Sequence, residues 1–250
     1  MRIGTWNLNR ASPHGPRGAA QVTFMSQMGG DLWLLAEVHE DLRLGADPTH
    51  LSVTRMDGGK VRWCGISSRW PLTPLTSEME SLALARVVAP SGPLLVATSV
   101  IPWRGGGRFW AGRADANDRE RFAETLTEHL GAIQRSRQPS EPVVWGGDFN
   151  QTLDGPETGC SEGGRGLLLD AFASLGLVAV TRTLAQAEVG LDTIDHVAVP
   201  TSWVTDLLPR RSERVQPRTI NGTPLSDHCC YICEPSETSG PGVTAGPASR

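Results

Sequence analysis

The stretch VVWGGDFN, residues 143–150, changes from apolar to polar within a few positions. Val and Trp are typical of a buried strand, and the two glycines, which lack a Cβ, permit close approach by another backbone or by a ligand. Asp148 and Asn150 are two residues apart, so both are expected at one rim of a sheet. The stretch therefore predicts a buried strand that ends in a carboxylate and a carboxamide. A strand followed by an ordinary Asx-type turn is the alternative.

Composition limits the class of protein. A chain of 250 residues with 39% hydrophobic content predicts one large domain with a substantial core. The net charge is −4 and Lys60 is the only lysine, so no general positive field indicates nucleic acid, although a local basic patch stays open. Five cysteines, an odd number, favour reduced thiols over a disulfide framework.

The two ends of the chain allow predictions about location and disorder. The first residues enter a strand-like run without a signal-peptide pattern, and no apolar stretch approaches membrane-spanning length, so we expect a cytoplasmic protein with no membrane span. We also expect a monomer. Residues 234–250 are rich in Ser, Gly, Pro and Thr without periodicity, which predicts a disordered tail after a domain at residues 1–233.

Two strands near the N-terminus are predicted to end in polar side chains. Residues 2–6 form a strand-like run that ends on Asn7, and the apolar run Leu32–Ala36 ends on Glu37. Between them, residues 18–28 have helical periodicity and are followed by two glycines suited to a left-handed C-cap. A strand, a helix and a strand in succession indicate an α/β sheet, in which binding sites collect at strand ends.

The middle of the chain contains shorter apolar runs. Val61–Ile66, Ala83–Val88 and Leu94–Thr98, separated by turn-rich segments, predict an antiparallel meander. Asn117 followed by Glu120 predicts a capping box at the start of a helix. The helix carries an apolar stripe that we assign to the core, consisting of Phe122, Leu126, Leu130 and Ile133.

Residues 103–110, WRGGGRFW, form a glycine-rich loop. Arg104 and Arg108 are suited to binding phosphate, and Trp103 is suited to stacking on a base. The alternative is a flexible connection whose aromatic side chains are partly buried. The sequence leaves both interpretations open.

The second half of the chain supplies polar residues at strand starts. After an amphipathic helix around residues 167–175, a predicted strand at residues 193–199 contains Asp195, and a last strand at residues 229–233 follows Asp227 and His228. In a mixed sheet, the starts of antiparallel strands lie at the rim where the other strands end. We therefore expect these side chains to converge with Asn7, Glu37 and Asp148.

Two other motifs are rejected. Residues 159–163, GCSEG, match the nucleophile elbow of serine hydrolases, but the turn-forming residues before them do not supply the strand that this motif requires. Cys229, Cys230 and Cys233 beside His228 resemble zinc ligands. On a strand, however, the outer two lie roughly 13 Å apart and Cys230 faces the other way.

The motifs TWN, a strand ending in Glu, GDFN, IDH and LSDH, in this order, resemble the endonuclease/exonuclease/phosphatase superfamily over nearly the whole chain to residue 233. The group includes deoxyribonuclease I, exonuclease III, apurinic endonucleases, sphingomyelinases and inositol polyphosphate 5-phosphatases. The resemblance implies an α/β (α+β) fold, a four-layer sandwich of two packed mixed β-sheets flanked by helices. It also implies a phosphoester-cleaving site that requires Mg²⁺ or Mn²⁺.

The resemblance implies a role for each polar residue. Glu37, with Asn7 and Asp227, would bind the metal ion, which neutralises charge on a phosphoryl oxygen. Asp148 would orient and deprotonate the attacking water, and Asn150 would donate a hydrogen bond to the phosphoryl group. The remaining pair has one shared role, in which Asp195 holds His228 and His228 donates to the oxygen that develops charge.

One departure from the family concerns the strand at residues 96–100. Many members carry a His or Tyr at its end, whereas this chain offers only Ser99 or Val100. The leaving-group contact is therefore missing or supplied by another residue. Arg104, Arg108 and His39 are the candidates.

Three function classes follow. The first is a nuclease or other phosphodiesterase acting on nucleic acid, because nucleases are frequent in the family and the arginine-bearing loop is suited to binding a nucleic-acid strand. The second is a phosphatase or phosphodiesterase of a small phosphorylated metabolite or lipid headgroup, which the acidic balance favours slightly. The third is a binding module that has lost activity, which intact Glu37, Asp148 and His228 oppose.

Overall fold

A computed structural model describes residues 1–56, 59–110, 113, 115–157, 160–204, 212–219 and 221–235. The described part of the chain contains two mixed β-sheets and three α-helices. The first sheet, in the order β12-β13-β1-β2-β5-β3 with β4 paired to β5, consists of β1 (Ile3–Asn7), β2 (Leu32–His39), β3 (Thr49–Leu51), β4 (Arg55–Met56), β5 (Val61–Ser68), β12 (Ser212–Val215) and β13 (Cys230–Cys233).

The second sheet and the helices complete the architecture. The sheet, in the order β10-β11-β9-β8-β7-β6, consists of β6 (Leu72–Leu75), β7 (Leu82–Ala89), β8 (Gly92–Val100), β9 (Val143–Asp148), β10 (Leu177–Ala179) and β11 (Asp195–Pro200). The helices are α1 (Pro16–Met28), α2 (Asp118–Ser136) and α3 (Gly164–Ser174), and short 3-10 helices lie at Gly107–Phe109 and Thr201–Trp203.

Three apolar clusters hold the layers together. The central cluster joins the facing sides of the two sheets, while one outer cluster packs α1 on the first sheet and the other packs α2 and α3 on the second. Strand β2 contributes to two of them, since Leu34 packs between the sheets and Trp33 and Leu35 pack under α1. The expected four-layer sandwich is therefore confirmed, as is a strand that is apolar on both faces.

The helix ends follow the sequence signals. Gly29 ends α1 in the left-handed conformation, with φ 62° and its N–H donating to the Met25 carbonyl. At the start of α2, the Glu120 N–H donates to Asn117 Oδ1 at 2.9 Å and the Asn117 N–H donates to Glu120 Oε2 at 3.1 Å. This reciprocal pair is the predicted capping box.

The glycines of β9 serve close backbone packing. A Cβ on Gly146 would lie 2.5 Å from Leu34 Cδ1 of the opposite sheet, and one on Gly147 would lie 2.1 Å from the Ser99 carbonyl oxygen. Gly147 also has φ 126°, which side chains disfavour. Of the two uses expected for these glycines, the structure shows the approach of another chain segment. The close approach at Gly146 allows the two sheets to meet directly beneath Asp148.

Strand directions bring the polar ends to one rim. Strands β1 and β2 are parallel, and β1 is antiparallel to β13. Strands β9 and β11 are antiparallel, with Asp148 opposite Asp195. The ends of β1, β2 and β9 and the starts of β11 and β13 consequently lie together, as the sequence predicts.

The predicted meander is wrong in one strand. Val61–Ile66 lies in β5, which pairs with β2 and β3 in the first sheet, whereas β6, β7 and β8 form an antiparallel run in the second sheet. The error arises because an apolar run of strand length does not specify which sheet receives it. Gly159 of the rejected GCSEG motif and residues 236–250 of the expected tail lie outside the described residues.

No helix in the described part of the chain combines the length and apolar character needed to cross a membrane.

Candidate active site

Asp148 lies at the centre of the site. It ends β9 and is 2% exposed, beside the fully buried Asp195 at the start of β11. Its Oδ2 accepts a hydrogen bond from Asn7 Nδ2 at 2.9 Å, and its Oδ1 accepts one from the Asn150 N–H at 3.0 Å. Two carboxylates therefore share a buried rim, and Asn7 links Asp148 to the other sheet.

His228 and Asp195 form a hydrogen-bonded pair across the two sheets, in which Asp195 is buried and the His228 side chain is 15% exposed. His228 Nδ1 lies 2.7 Å from Asp195 Oδ2, and the backbone of His228 is held because its N–H donates to Ser226 Oγ and its carbonyl accepts from Trp6 Nε1. The other oxygen of Asp195, Oδ1, is buried without a hydrogen-bond partner among the described residues. The expected Asp195–His228 contact is thus present.

The buried charges shift two pKa values upwards. Burial and the neighbouring Asp195 charge raise the pKa of Asp148, and His228 and the Asn7 hydrogen bond only partly offset this. For His228, burial favours the neutral ring, but the charge and hydrogen bond of Asp195, followed by the charges of Asp148 and Asp227, outweigh it and raise the pKa. The two shifts favour proton acceptance by the Asp148 carboxylate and the protonated form of the His228 ring.

A group of oxygen-bearing side chains is linked to Asp148 through Asn7. Asn7 Nδ2 also donates to Glu37 Oε1 at 3.3 Å, and Arg10 Nε donates to Glu37 Oε2 at 2.9 Å. Asp227 joins this set through Asn9, whose Nδ2 donates to Asp227 Oδ1 at 2.9 Å and whose N–H donates to Asn7 Oδ1.

Two groups of residues are candidates for metal ligands. Asp148, Asp195 and His228 offer ligand atoms within 4.8 Å of one another. However, His228 Nδ1 is engaged by Asp195, and a protonated imidazole has no free lone pair for a metal ion. Glu37, Asn7 and Asp227 offer carboxylate and carboxamide oxygens, the donors that hard cations such as Mg²⁺ and Mn²⁺ prefer. The second set fits a divalent ion better.

Strained backbone is concentrated at the site. Among the described residues, five non-glycine residues have positive φ, and four of them are Asn9 (47°), Arg10 (58°), Glu37 (50°) and Asn150 (49°). Left-handed backbone is uncommon outside glycine and persists only where surrounding contacts impose it. Here the contacts include the Arg10 N–H, which donates to the Glu37 carbonyl at 3.1 Å.

Asn150 is held by the neighbouring strand. Its Nδ2 donates to the Ile101 carbonyl at 3.0 Å, which occupies one of its two amide hydrogens and leaves the second for another acceptor.

The glycine-rich loop is divided between core and surface. Trp103 is half-buried, with ring centroids 5.0 Å from both Phe109 and Trp110 and 6.4 Å from Trp63. Gly106 is pressed against its face, since a Cβ there would lie 2.8 Å from the ring. Arg104 and Arg108 are exposed, and Arg108 lies over the Phe109 ring, as does Arg10. The loop is therefore linked to Glu37 through Arg10, which contacts Phe109 and pairs with Glu37.

The strand that lacks the family His or Tyr offers no polar group to the rim. Ser99 is buried on the far side of β8, where its Oγ accepts from Trp145 Nε1 at 2.8 Å and lies 3.0 Å from His129 Nδ1. Val100 packs between the sheets. His39 is nearly buried, and its Nδ1 accepts from the Asp41 N–H at 3.2 Å.

Sequence reasoning missed Asn9 and Arg10. Both follow β1 directly, and the tolerance of Asn for left-handed backbone was the available signal at Asn9. The ion pair between Arg10 and Glu37 has no signal in the sequence, because it depends on two separate strand ends meeting.

Solved structures share this architecture. An AP endonuclease from Archaeoglobus fulgidus is 15% identical, with a TM-score of 0.67 and coverage of 95% of this chain and 100% of that chain. The 3′ phosphatase NExo from Neisseria, bound to product DNA hairpin, is 17% identical, with a TM-score of 0.64 and coverage of 95% and 100%. D. rerio TDP2, complexed with single-strand DNA product, is 15% identical, with a TM-score of 0.61 and coverage of 93% and 97%. At these identities the similarity shows the fold alone.

The family model described as Endonuclease/Exonuclease/phosphatase family matches residues 4–228, and the chain belongs to this family. Its members are hydrolases that act on phosphoester bonds and are generally dependent on divalent metal ions. No curated protein matches the sequence.

Proposed function

We propose that this protein is a Mg²⁺- or Mn²⁺-dependent phosphodiesterase that acts on nucleic acid, as an endonuclease or exonuclease, with residues 1–233 as its catalytic domain. One observation carries the proposal. The buried Asp148 contacts Asn7, which bonds Glu37, and lies beside Asp195, which bonds His228. This arrangement supports a base at Asp148, a set of oxygen ligands and a cationic donor along a single rim.

Glu37, Asn7 and Asp227 would hold the metal ion. When bound there, the ion would supply positive charge to a phosphoryl oxygen and so reduce its repulsion of a nucleophile. Asn7 keeps the Glu37 and Asp148 carboxylates in a fixed relation, because its amide donates to both. Arg10 partly neutralises Glu37 and holds the other carboxylate oxygen.

Asp148 would orient and deprotonate the attacking water. Burial and the Asp195 charge make its carboxylate a stronger base than an exposed aspartate. The Asn150 N–H fixes one carboxylate oxygen, and the second amide hydrogen of the Asn150 side chain would be donated to the phosphoryl group.

His228 would donate to the oxygen on which charge develops. Asp195 Oδ2 fixes the orientation of the ring at 2.7 Å and favours its protonated form. A preorganised cationic donor in a buried site stabilises a transition state more than a solvated one does.

Arg104 and Arg108 support a nucleic-acid substrate. Both are exposed on the glycine-rich loop, which is linked to Glu37 through Arg10, and guanidinium groups are suited to binding phosphates. The similar structures of NExo and TDP2 contain DNA products. Packing of Trp103 against three aromatic rings favours a supporting role for this residue over base stacking. A cytoplasmic location and a monomeric state stay predictions.

The net charge of −4 favours a second candidate, a small phosphorylated metabolite or lipid headgroup, since the chain has no overall attraction for a polyanion. Incubation of the purified protein with Mg²⁺ and plasmid DNA, single-stranded DNA, RNA or bis-p-nitrophenyl phosphate separates the classes. Cleavage of a nucleic acid supports the proposal. Hydrolysis of only the small diester supports the second candidate, and hydrolysis of none supports a binding module.

A further inference from the structure

A cavity of about 430 Å³ lies between the N-terminal ends of α2 and α3. Asn117 and Asp118 line it from α2, and Ser161 and Glu162 line it from the segment that leads into α3. A short segment of the chain connects this cavity to the candidate active site. Cys160, which also lines it, accepts a hydrogen bond on Sγ from the N–H of Thr152, two residues after Asn150.

Two arginines without hydrogen-bond or ion-pair partners among the described residues face this cavity. Arg104 reaches it from the glycine-rich loop and Arg119 from the first turn of α2, and both are exposed. The guanidinium of Arg119 lies at the beginning of α3, 3.8 Å from where a Cβ of Gly163 would be. Two uncompensated guanidinium groups at one cavity make an anion the expected ligand.

The acidic residues of the cavity are largely neutralised. Asp118 accepts a hydrogen bond from Arg121 Nη1 at 2.9 Å. Glu157 accepts one from Gln151 Nε2 at 3.2 Å and lies 3.6 Å from Arg165 Nε. Glu162 is exposed and is the remaining negative charge against the two arginines.

A buried hydroxyl independently indicates a ligand. Ser161 is 2% exposed, and its Oγ has no hydrogen-bond partner among the described residues. An unpaired buried hydroxyl is destabilising, so such groups normally have a hydrogen-bond partner. The N-terminus of α3 lacks both a side-chain cap and an acidic residue in its first turn, and thus also favours negative charge.

We propose that this cavity is a phosphate subsite that binds a second, non-scissile phosphate of the substrate through Arg104, Arg119 and Ser161. The inference rests on the proposed phosphoesterase function and narrows its substrates to those with two phosphates. Either a terminal phosphomonoester or an internal phosphodiester of an oligonucleotide supplies this chemistry.

The test compares substrates with one and two phosphates. The dinucleotide TpT has a single phosphodiester, pTpT and TpTp add a terminal phosphate, and TpTpT adds an internal one. We expect wild-type kcat/KM with Mg²⁺ to be about tenfold higher for at least one two-phosphate substrate than for TpT, the size expected for a charged hydrogen bond. A preference for TpTpT over pTpT and TpTp identifies the internal phosphate, and the reverse identifies the terminal one.

Arg119→Ala and Ser161→Ala should each reduce this preference without changing hydrolysis of bis-p-nitrophenyl phosphate, and Arg104→Ala should also reduce the preference. Arg135→Ala is the matched control, because Arg135 is an exposed arginine in the last turn of the same helix. Retention of the preference in the three variants, or its absence in the wild type, would overturn the subsite.

Binding of pTpT, measured by calorimetry in the presence of chelator, separates the subsite from the reaction. If the wild type hydrolyses none of the substrates but Arg119→Ala weakens binding and Arg135→Ala does not, the subsite stands and the proposed function fails. If hydrolysis occurs but both variants bind pTpT like the wild type, the function stands and the subsite fails.

Discussion

Asn7 Nδ2 lies 2.9 Å from Asp148 Oδ2, although the two residues end strands in different sheets. The same nitrogen lies 3.3 Å from Glu37 Oε1. One carboxamide therefore sets the distance between the proposed base and the principal proposed metal ligand. This relation depends on sheet packing, because Gly146 allows the two sheets to approach beneath Asp148.

Glu37→Gln should weaken metal binding. The substitution keeps the size of the side chain and its contact with Asn7 but removes the negative charge that attracts the ion. We expect the Mn²⁺ dissociation constant, measured by calorimetry, to rise by roughly 10- to 100-fold or more, as is typical when support of a metal ligand is lost. Chelator should abolish activity and added Mg²⁺ or Mn²⁺ should restore it. Full activity in excess chelator would disprove metal dependence.

Arg104→Ala combined with Arg108→Ala should raise KM for a nucleic-acid substrate. Each phosphate contact by an arginine contributes about one unit to the slope of log binding constant against log salt, so the double variant should reduce the slope by about two. Binding measured from low to moderate salt checks this result, with Arg135→Ala as a control for loss of charge alone. An unchanged KM and an unchanged salt slope would show that the loop is a structural connection that does not bind the substrate.

Asp195 and His228 should behave as one unit. His228→Ala removes the donor and should lower kcat/KM by roughly 10²- to 10⁴-fold, the usual contribution of a general acid. Because Asp195 acts through the histidine, Asp195→Asn combined with His228→Ala should be little worse than His228→Ala alone. The measurement is kcat/KM for the wild type, both single variants and the double variant. Losses that multiply independently would show that Asp195 has a separate role.

The pair formed by Glu141 and Arg86 should make stability depend on pH. The Glu141 side chain is 3% exposed, with Arg86 Nε 2.6 Å from its Oε1. Burial opposes ionisation, but hydrogen bonds from Arg86 and the Gln138 N–H, with the charges of Arg86 and Arg137, outweigh it and lower the pKa of Glu141. A carboxyl whose folded pKa is depressed stabilises the fold above its unfolded pKa, and this contribution disappears as pH falls through the folded pKa.

Glu141→Gln should therefore lower the free energy of unfolding by about 1–3 kcal/mol at pH 7, the typical contribution of hydrogen bonds to a charged group. The difference from the wild type should shrink at pH values below about 4, where glutamate becomes protonated. Urea unfolding of the wild type and of Glu141→Gln, at pH 7 and at a pH below about 4, measures the difference in the free energy of unfolding at each pH. A difference that is equal at both would contradict a contribution from the ionised carboxylate.

Most of the rim was predictable from the sequence because strand ends are visible in it. Apolar runs that stop at Asn7, Glu37 and Asp148 mark the carboxyl ends of β1, β2 and β9, and the alternation of Leu34 with Trp33 and Leu35 indicates a strand covered on both faces. Local capping residues likewise fixed the start of α2.

The parts that failed depend on contacts between distant segments. Val61–Ile66 was assigned to the wrong sheet because partner choice is decided by packing and not by the run itself. Asn9 and Arg10 were missed because their left-handed backbone and the pairing of Arg10 with Glu37 arise only when β1 and β2 lie side by side. The half-buried position of Trp103 is likewise set by three rings from elsewhere in the chain and the loop.

The most direct test of the central claim is kcat/KM for bis-p-nitrophenyl phosphate and for single-stranded DNA, with Mg²⁺, in the wild type and in Asp148→Asn. Asparagine keeps the shape of the side chain and an oxygen that accepts the Asn7 hydrogen bond, so urea unfolding should show a folded protein. We expect the wild type to hydrolyse both substrates and the variant to lose roughly 10²- to 10⁴-fold in kcat/KM, because the carboxylate proposed to deprotonate water is removed. Wild-type rates in a folded Asp148→Asn variant would contradict the assignment of Asp148 as the base.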